Sequence, residues 1–178
     1  MSISSSGRQI ICLPIEKNFI SLRGLSPKKL RFEIEYGLER GTTANSFVIS
    51  SDDQAILIHP PGAAYGEIFL NQLKEILPDN LQQLKVVVGH VNPNRVALLK
   101  ELANIYSKIN LICSAPGGKL IEELWFQNKP SDLNNKKIKL PELELIREEK
   151  VLNASNEYQL KLIPTPTARW PGGLMAFE

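Results

Sequence analysis

Histidine and cysteine are scarce in this sequence: its 178 residues hold two of each, and aromatic residues make up only 7%. Cys12 and Cys113 form no motif together, which excludes a disulfide framework and fits a reducing compartment, so we expect a cytoplasmic protein. Long apolar runs are missing as well. None approaches the roughly 20 residues a bilayer span requires, and the polar start Met1-Ser-Ile-Ser-Ser-Ser-Gly-Arg8 has no signal-like apolar stretch, so membrane insertion is not expected. Excess charge of one sign is also absent: 21 Lys and Arg against 19 Asp and Glu leave a net +2, too weak a field to gather a phosphate backbone. Nucleic acid is therefore not an expected partner. What is present is a 43% hydrophobic content, enough apolar side chain for one well-packed domain.

The first 17 residues are poorly periodic and read as a loose extension, with the domain proper running over 19–178 and residues 1–18 outside it. Residues 19–23 form a short strand candidate. Residues 30–36 alternate Leu30, Phe32, Ile34 and Tyr36 with Arg31, Glu33 and Glu35, the pattern of a half-buried strand. Two further strands, 44–50 and 54–59, flank the polar Ser51-Asp-Asp53 and predict a hairpin. Ile68, Phe69, Leu73, Ile76 and Leu77 recur at helical spacing before Pro78 stops the run. The β-branched run at 84–90 then predicts a buried strand, 96–106 a helix, 110–114 a strand, and Pro116 a third helix. An Asn- and Lys-rich loop follows over 127–138. Segments 143–147, 159–164 and 174–178 alternate again and are expected as antiparallel strands. A meander, then β-α-β-α-β-α, then more strands predicts an α+β layered fold, with helices on one side of a sheet and a second sheet still being built. The apolar strand at the end would expose its edge, so we expect either a fragment of a longer protein or reliance on a partner.

Chemistry is expected at His90-Val-Asn-Pro-Asn-Arg95, where the most apolar strand ends and a helix begins, the place where α/β sheets favour ligand sites. Two readings of His90 stand side by side, a hydrogen-bonded structural histidine and a ligand. Asn92 reads as a turn residue before Pro93, and Arg95 either as a surface residue at the helix start or as a pocket-facing cation. Gly41-Thr-Thr43 is turn chemistry. Pro116-Gly-Gly-Lys119 lacks the Gly-x-x-x-x-Gly-Lys-Ser/Thr spacing of a phosphate loop. Cys113, on a strand, reads as a buried thiol, and no Ser/His/acid triad can be assigned.

Taken together and in order, Gly41-Thr-Thr-Ala-Asn-Ser46, Leu57-Ile58, His90-Val-Asn-Pro-Asn-Arg95, Ile112-Cys-Ser114 and Pro164-Thr-Pro-Thr-Ala-Arg-Trp-Pro171 resemble the N-terminal metallo-β-lactamase-like domain of flavodiiron proteins. His59-Pro-Pro-Gly62 and Asn92-Pro-Asn-Arg95 are similar to a metal-ligand-depleted subgroup in cyanobacteria and other oxygenic phototrophs. The resemblance implies a metallo-β-lactamase-like αββα sandwich, incomplete in this chain. The family's His-x-Glu-x-Asp-His and His-Trp-Pro-Asp motifs would place iron ligands at His90, Asn92, Asn94 and Arg169, of which only His90 keeps a ligand side chain. His59, where the family has aspartate, is expected to be structural.

The same resemblance implies an oxidoreductase that reduces O2 to water with NAD(P)H- or flavin-derived electrons in photosynthetic electron transport. In full-length members that chemistry uses FMN or FAD and a di-iron centre, carried in part by flavodoxin-like and flavin reductase-like domains that are expected to lie outside these 178 residues. No cofactor is expected in this chain and its own activity is in doubt. The alternative is a non-catalytic subunit or interaction module that forms a homo-oligomer, or a hetero-oligomer with a metal-competent flavodiiron paralogue. A zinc hydrolase of the same fold is disfavoured by the missing carboxylates and second histidine. The residue chemistry adds one expectation: with Asn92 and Asn94 in place of acids and Arg95 and Arg169 nearby, the pocket around His90 should hold an anion or an internal carboxylate.

Overall fold

The structure, a computed structural model, describes residues 2–3, 7–27, 42–127 and 138–178. Eight strands form the larger sheet in chain order: β1 (Ser2–Ile3), β2 (Gln9–Glu16), β3 (Phe19–Ser26), β4 (Thr42–Ser50), β5 (Gln54–Ile58), β6 (Gln83–Val87), β7 (Ile109–Ser114) and β8 (Glu142–Ile146). β1 to β5 pair antiparallel. From β5 onward the pairing is parallel, because α1 (Gly66–Ile76), α2 (Pro93–Ile105) and α3 (Ala115–Phe126) carry the chain back between strands. A smaller sheet has the order β11 (Leu174–Phe177), β10 (Gln159–Pro164), β9 (Lys150–Asn153), all antiparallel.

The period of two explains why the central strands read as unbroken apolar runs. On β5, Ala55 and Leu57 face the helices, where Phe69, Leu73, Leu98 and Leu102 are buried. Ile56 and Ile58 face the opposite way, joining Val87, Ile112, Leu160, Leu162 and Leu174 under the smaller sheet. From β4 to β8 both faces of the larger sheet are thus covered, by helices on one side and by a second sheet on the other. This is the expected α+β layering. Among the described residues no helix is long and apolar enough to cross a membrane.

Several expectations need correction. The N-terminal residues are not a loose extension: Gln9–Glu16 pairs along its length with β3, and Ile10 is fully buried. Its pattern was obscured because only alternate residues, Ile10 and Cys12, face the core, while Leu13 and Ile15 remain exposed. A tight turn at Lys17-Asn18 joins the two strands, with Asn18 in the left-handed region (φ 61°), which asparagine tolerates. β8 is parallel to β7 rather than antiparallel, since α3 intervenes as a crossover. β9 went unread, being four residues long and mostly exposed. The strand expected over 30–36, Gly41, and most of the loop expected over 127–138 lie outside the described residues.

Candidate functional site

The loops that follow β5 and β6 meet at one end of the larger sheet. β5 is followed by His59, whose φ of 55° is unusual for a residue with a side chain. Three hydrogen bonds hold it there. Its N–H donates to the Val87 carbonyl (2.9 Å), Ser46 Oγ donates to its carbonyl (2.8 Å), and Gly89 N–H donates to its ring Nδ1 (3.1 Å). Gly89 must be glycine, because a Cβ there would lie 1.9 Å from His59 Cε1 and 2.6 Å from the Leu174 carbonyl oxygen. Accepting at Nδ1 requires an unprotonated nitrogen. Burial, with a smaller contribution from the Arg95 charge, pushes the His59 pKa down to about 4, so the ring stays neutral.

The helix after His90 starts with a cap rather than a ligand set. Asn92 is extended (φ −152°, ψ 166°) and its Oδ1 accepts from Arg95 N–H at 2.8 Å, with Pro93 in the first turn. The turn role expected of Asn92 is therefore a helix cap. Asn94 is exposed, its Cβ close to Gly62. Arg95 turns inward: Nε donates to the Pro60 carbonyl (2.7 Å) and Nη1 to the His90 carbonyl (3.1 Å), joining the two loops. Burial lowers its pKa. Its charge, together with burial, which contributes more, also lowers the pKa of His90.

The segment before β11 comes to the same mouth. Leu174 N–H donates to the Gly89 carbonyl (3.2 Å), and a turn between Thr167 and Trp170 presents the indole. His90 meets Trp170 edge to face, ring centroids 4.2 Å apart at 88°. Arg169 lies exposed over the other partner of that pair, its Cζ 5.4 Å from the Trp170 ring centroid. Residues 90–95 and 169–170, distant in sequence, are thus brought together. Arg95 and Arg169 do not converge on one carboxylate: among the described residues neither has an acidic side chain in salt-bridge range. Sequence reasoning missed Trp170 and the bent backbone of His59. The first was visible only as part of a motif, and the second has no local signal, since the partners that hold His59, Ser46 and Gly89, are distant in sequence.

Other candidates resolve as ordinary structure. Cys113 is fully buried, and burial pushes its thiol up to about 12. Ser114 Oγ accepts from Gly117 N–H (3.1 Å), capping α3. Neither serine near the mouth bonds a histidine ring, and no triad forms among the described residues.

The chain is 35% identical over all 178 residues to diflavin flavoprotein A 4 of Nostoc sp., covering 29% of that protein. The flavodiiron core of Flv1 from Synechocystis sp., solved after metal soaking, superposes with a TM-score of 0.80 at 33% identity, over 96% of this chain and 40% of that one. The chain is a homologue of the cyanobacterial diflavin flavoproteins, of the flavodiiron family. A solved fragment of Nostoc diflavin flavoprotein A 5, residues 1–254, matches with a TM-score of 0.79 at 34% identity, over 96% of this chain and 63% of the fragment. No family model matches the sequence. The chain spans less than a third of the length of the full diflavin flavoproteins it matches.

The flavodiiron name implies a pair of irons, which calls for several carboxylate and imidazole donors. At the four positions assigned by the resemblance this chain has one imidazole, two amides and one guanidinium. Asn92 Oδ1 is already committed to the helix cap. Among the described residues no three His, Cys, Asp or Glu side chains come together. With a half-buried guanidinium beside His90 as well, these side chains do not fit a di-iron centre.

Proposed function

We propose that this chain serves as the metallo-β-lactamase-like part of a flavodiiron-type oxidoreductase, of the kind that passes NAD(P)H- or flavin-derived electrons to O2, with a degenerate di-metal site. The observation that carries this reading is Arg95. A permanent cation, half-buried and held by the Pro60 and His90 carbonyls, stands where electron-rich donors would have to gather. It holds the two loops together without metal. The chemistry left at the mouth is that of a cationic, metal-poor pocket: His90, the unused N–H donors of Arg95, and Arg169 suit an anion better than a metal. Such a chain does no O2 chemistry by itself. It acts within an oligomer, either of its own kind or with a metal-competent flavodiiron paralogue, and the same observation favours this second role of non-catalytic subunit.

Elemental analysis after anaerobic reconstitution with ferrous iron tests the reading. The expected result is no stoichiometric iron in the natural chain. Asn92→Glu, Asn94→Asp, Arg95→His and Arg169→His combined should raise iron retention after dialysis. Two irons per natural chain, retained, would overturn it.

A further inference from the structure

The loop from Thr165 to Gly173 bonds mostly to itself. Thr165 N–H donates to the Gly173 carbonyl and Gly173 N–H to the Trp170 carbonyl. Thr167 and Trp170 exchange both backbone bonds, and Trp170 N–H also reaches Thr167 Oγ1. The loop therefore holds its shape as a unit, with residues 166–171 exposed. Its backbone bond to the mouth, among the described residues, runs from Leu174 N–H at its end to the Gly89 carbonyl (3.2 Å). Beyond that bond, the Trp170 indole meets the His90 ring, and Gly172 rests on Gly117 at the start of α3.

That one bond is the last link of a relay. The Val87 carbonyl accepts from His59 N–H, the His59 ring Nδ1 accepts from Gly89 N–H, and the Gly89 carbonyl accepts from Leu174 N–H. The end of β6, the turn after β5 and the start of β11 are thus joined in series through one imidazole. The middle link exists in one protonation state only, because an imidazolium carries hydrogen on both nitrogens and would set an N–H against the N–H of Gly89. The fit is too close for the two to share the space, since a Cβ on Gly89 would lie 1.9 Å from His59 Cε1. Both residues have somewhere to go. His59, at φ 55°, would relax to extended backbone on release, and Gly89 can turn its peptide freely.

Burial, and after it the charge of Arg95 on α2, opposes protonation of the His59 ring. The same two causes act on His90, beside Gly89, while Ser46 on β4 and Leu174 on β11 do not titrate. We propose that His59 is a proton-operated latch on the Thr165–Gly173 loop. With the ring neutral, Gly89 is held and the loop stays docked with Trp170 on His90. With the ring protonated, His59 and Gly89 part, the Gly89 carbonyl gives up Leu174, and the loop lifts as a unit from His90. The open form, where the ring is solvated, takes the proton more readily, so the latch is shut above about pH 6.5 and opens as pH falls toward 4. This goes beyond the functional reading above and does not depend on it.

Hydrogen exchange of the 178-residue chain, read by NMR at each amide and corrected for intrinsic chemistry, tests the latch. The opening constant at Gly89 and Leu174 should rise about tenfold or more from about pH 7.5 to about pH 5. Low concentrations of urea should hardly change it, because a local opening exposes little surface, whereas Val86 and Leu111 in the core strands should follow urea as global unfolding does. His59→Asn keeps an acceptor at the same position, tolerates the left-handed backbone and does not titrate, so it should flatten the pH dependence at both amides. If that variant does not fold, Ser46→Ala serves instead: losing the bond to the His59 carbonyl, it should raise the opening constant at every pH and keep the slope. A pH-independent opening, a urea dependence equal to that of the core amides, a slope that persists in His59→Asn, or an opening constant unmoved by Ser46→Ala each overturns the proposal.

Discussion

The mouth at residues 59–62, 89–95 and 169–174 and the edge of β11 lie in one chain but treat their polar groups in opposite ways. At the mouth, carbonyls of Pro60, Gly89 and His90, the ring of His59 and the amide of Asn92 all find partners within the chain. At the edge, the backbone of Ala176 and the side chains of Phe177 and Met175 find none among the described residues. At the mouth a guanidinium links the two loops through their carbonyls. The edge leaves strand groups and apolar area open among the described residues. The place where resemblance would look for chemistry is thus closed by the chain's own side chains, and the place it would pass over is the open one.

The contrast can be broken most forcefully at Gly89. Gly89→Ala forces a Cβ against the His59 ring and the Leu174 carbonyl, and should cost about 3 kcal/mol or more in urea unfolding. A loss below about 1 kcal/mol would mean that the mouth is soft.

Acid should act nearly as strongly. The His59 pKa is lowered to about 4 in the fold, from an ordinary value near 6.5, so between these pH values the unfolded chain binds a proton that the folded chain refuses. Stability is therefore full above about pH 6.5 and falls as pH drops toward 4, by about 3 kcal/mol at most, with His90 adding in the same direction. His59→Asn should flatten most of that slope in melts across the window.

Arg95→Met leaves two carbonyls without their charged donor and should cost about 2 kcal/mol. It should also raise the pKa of both histidines, read by NMR titration, because Arg95 lowers each. Unchanged titration curves would show that the guanidinium is not where its hydrogen bonds place it.

The smallest effect sharpens the other side of the comparison. Phe177→Glu, at an exposed site, should change the stability of the isolated chain by less than about 0.5 kcal/mol in the same unfolding assay. A loss of 2 kcal/mol would mean that Phe177 is already covered.

Much of this molecule is written in local pattern. The hairpin of β4 and β5, the helix stopped near Pro78 and the β-α alternation from β5 to α3 follow from apolar spacing and turn residues, because each strand or helix shows its own period within a few residues. The side-chain types at the four motif positions were equally legible, since composition alone separates imidazole from amide and guanidinium. Tertiary structure alone decided the rest. β2 hides its period because only one of its faces is fully covered, and β8 is parallel only because α3 turns the chain back beneath it. Nothing in the sequence sends Arg95 inward. Its direction is set by the Pro60 carbonyl, 35 residues away, which reaches helix α2 only when β5 and β6 lie side by side. His90 finds Trp170 in the same way, across 80 residues of chain, because contacts of that separation are chosen by the packing of whole sheets and carry no trace in local spacing.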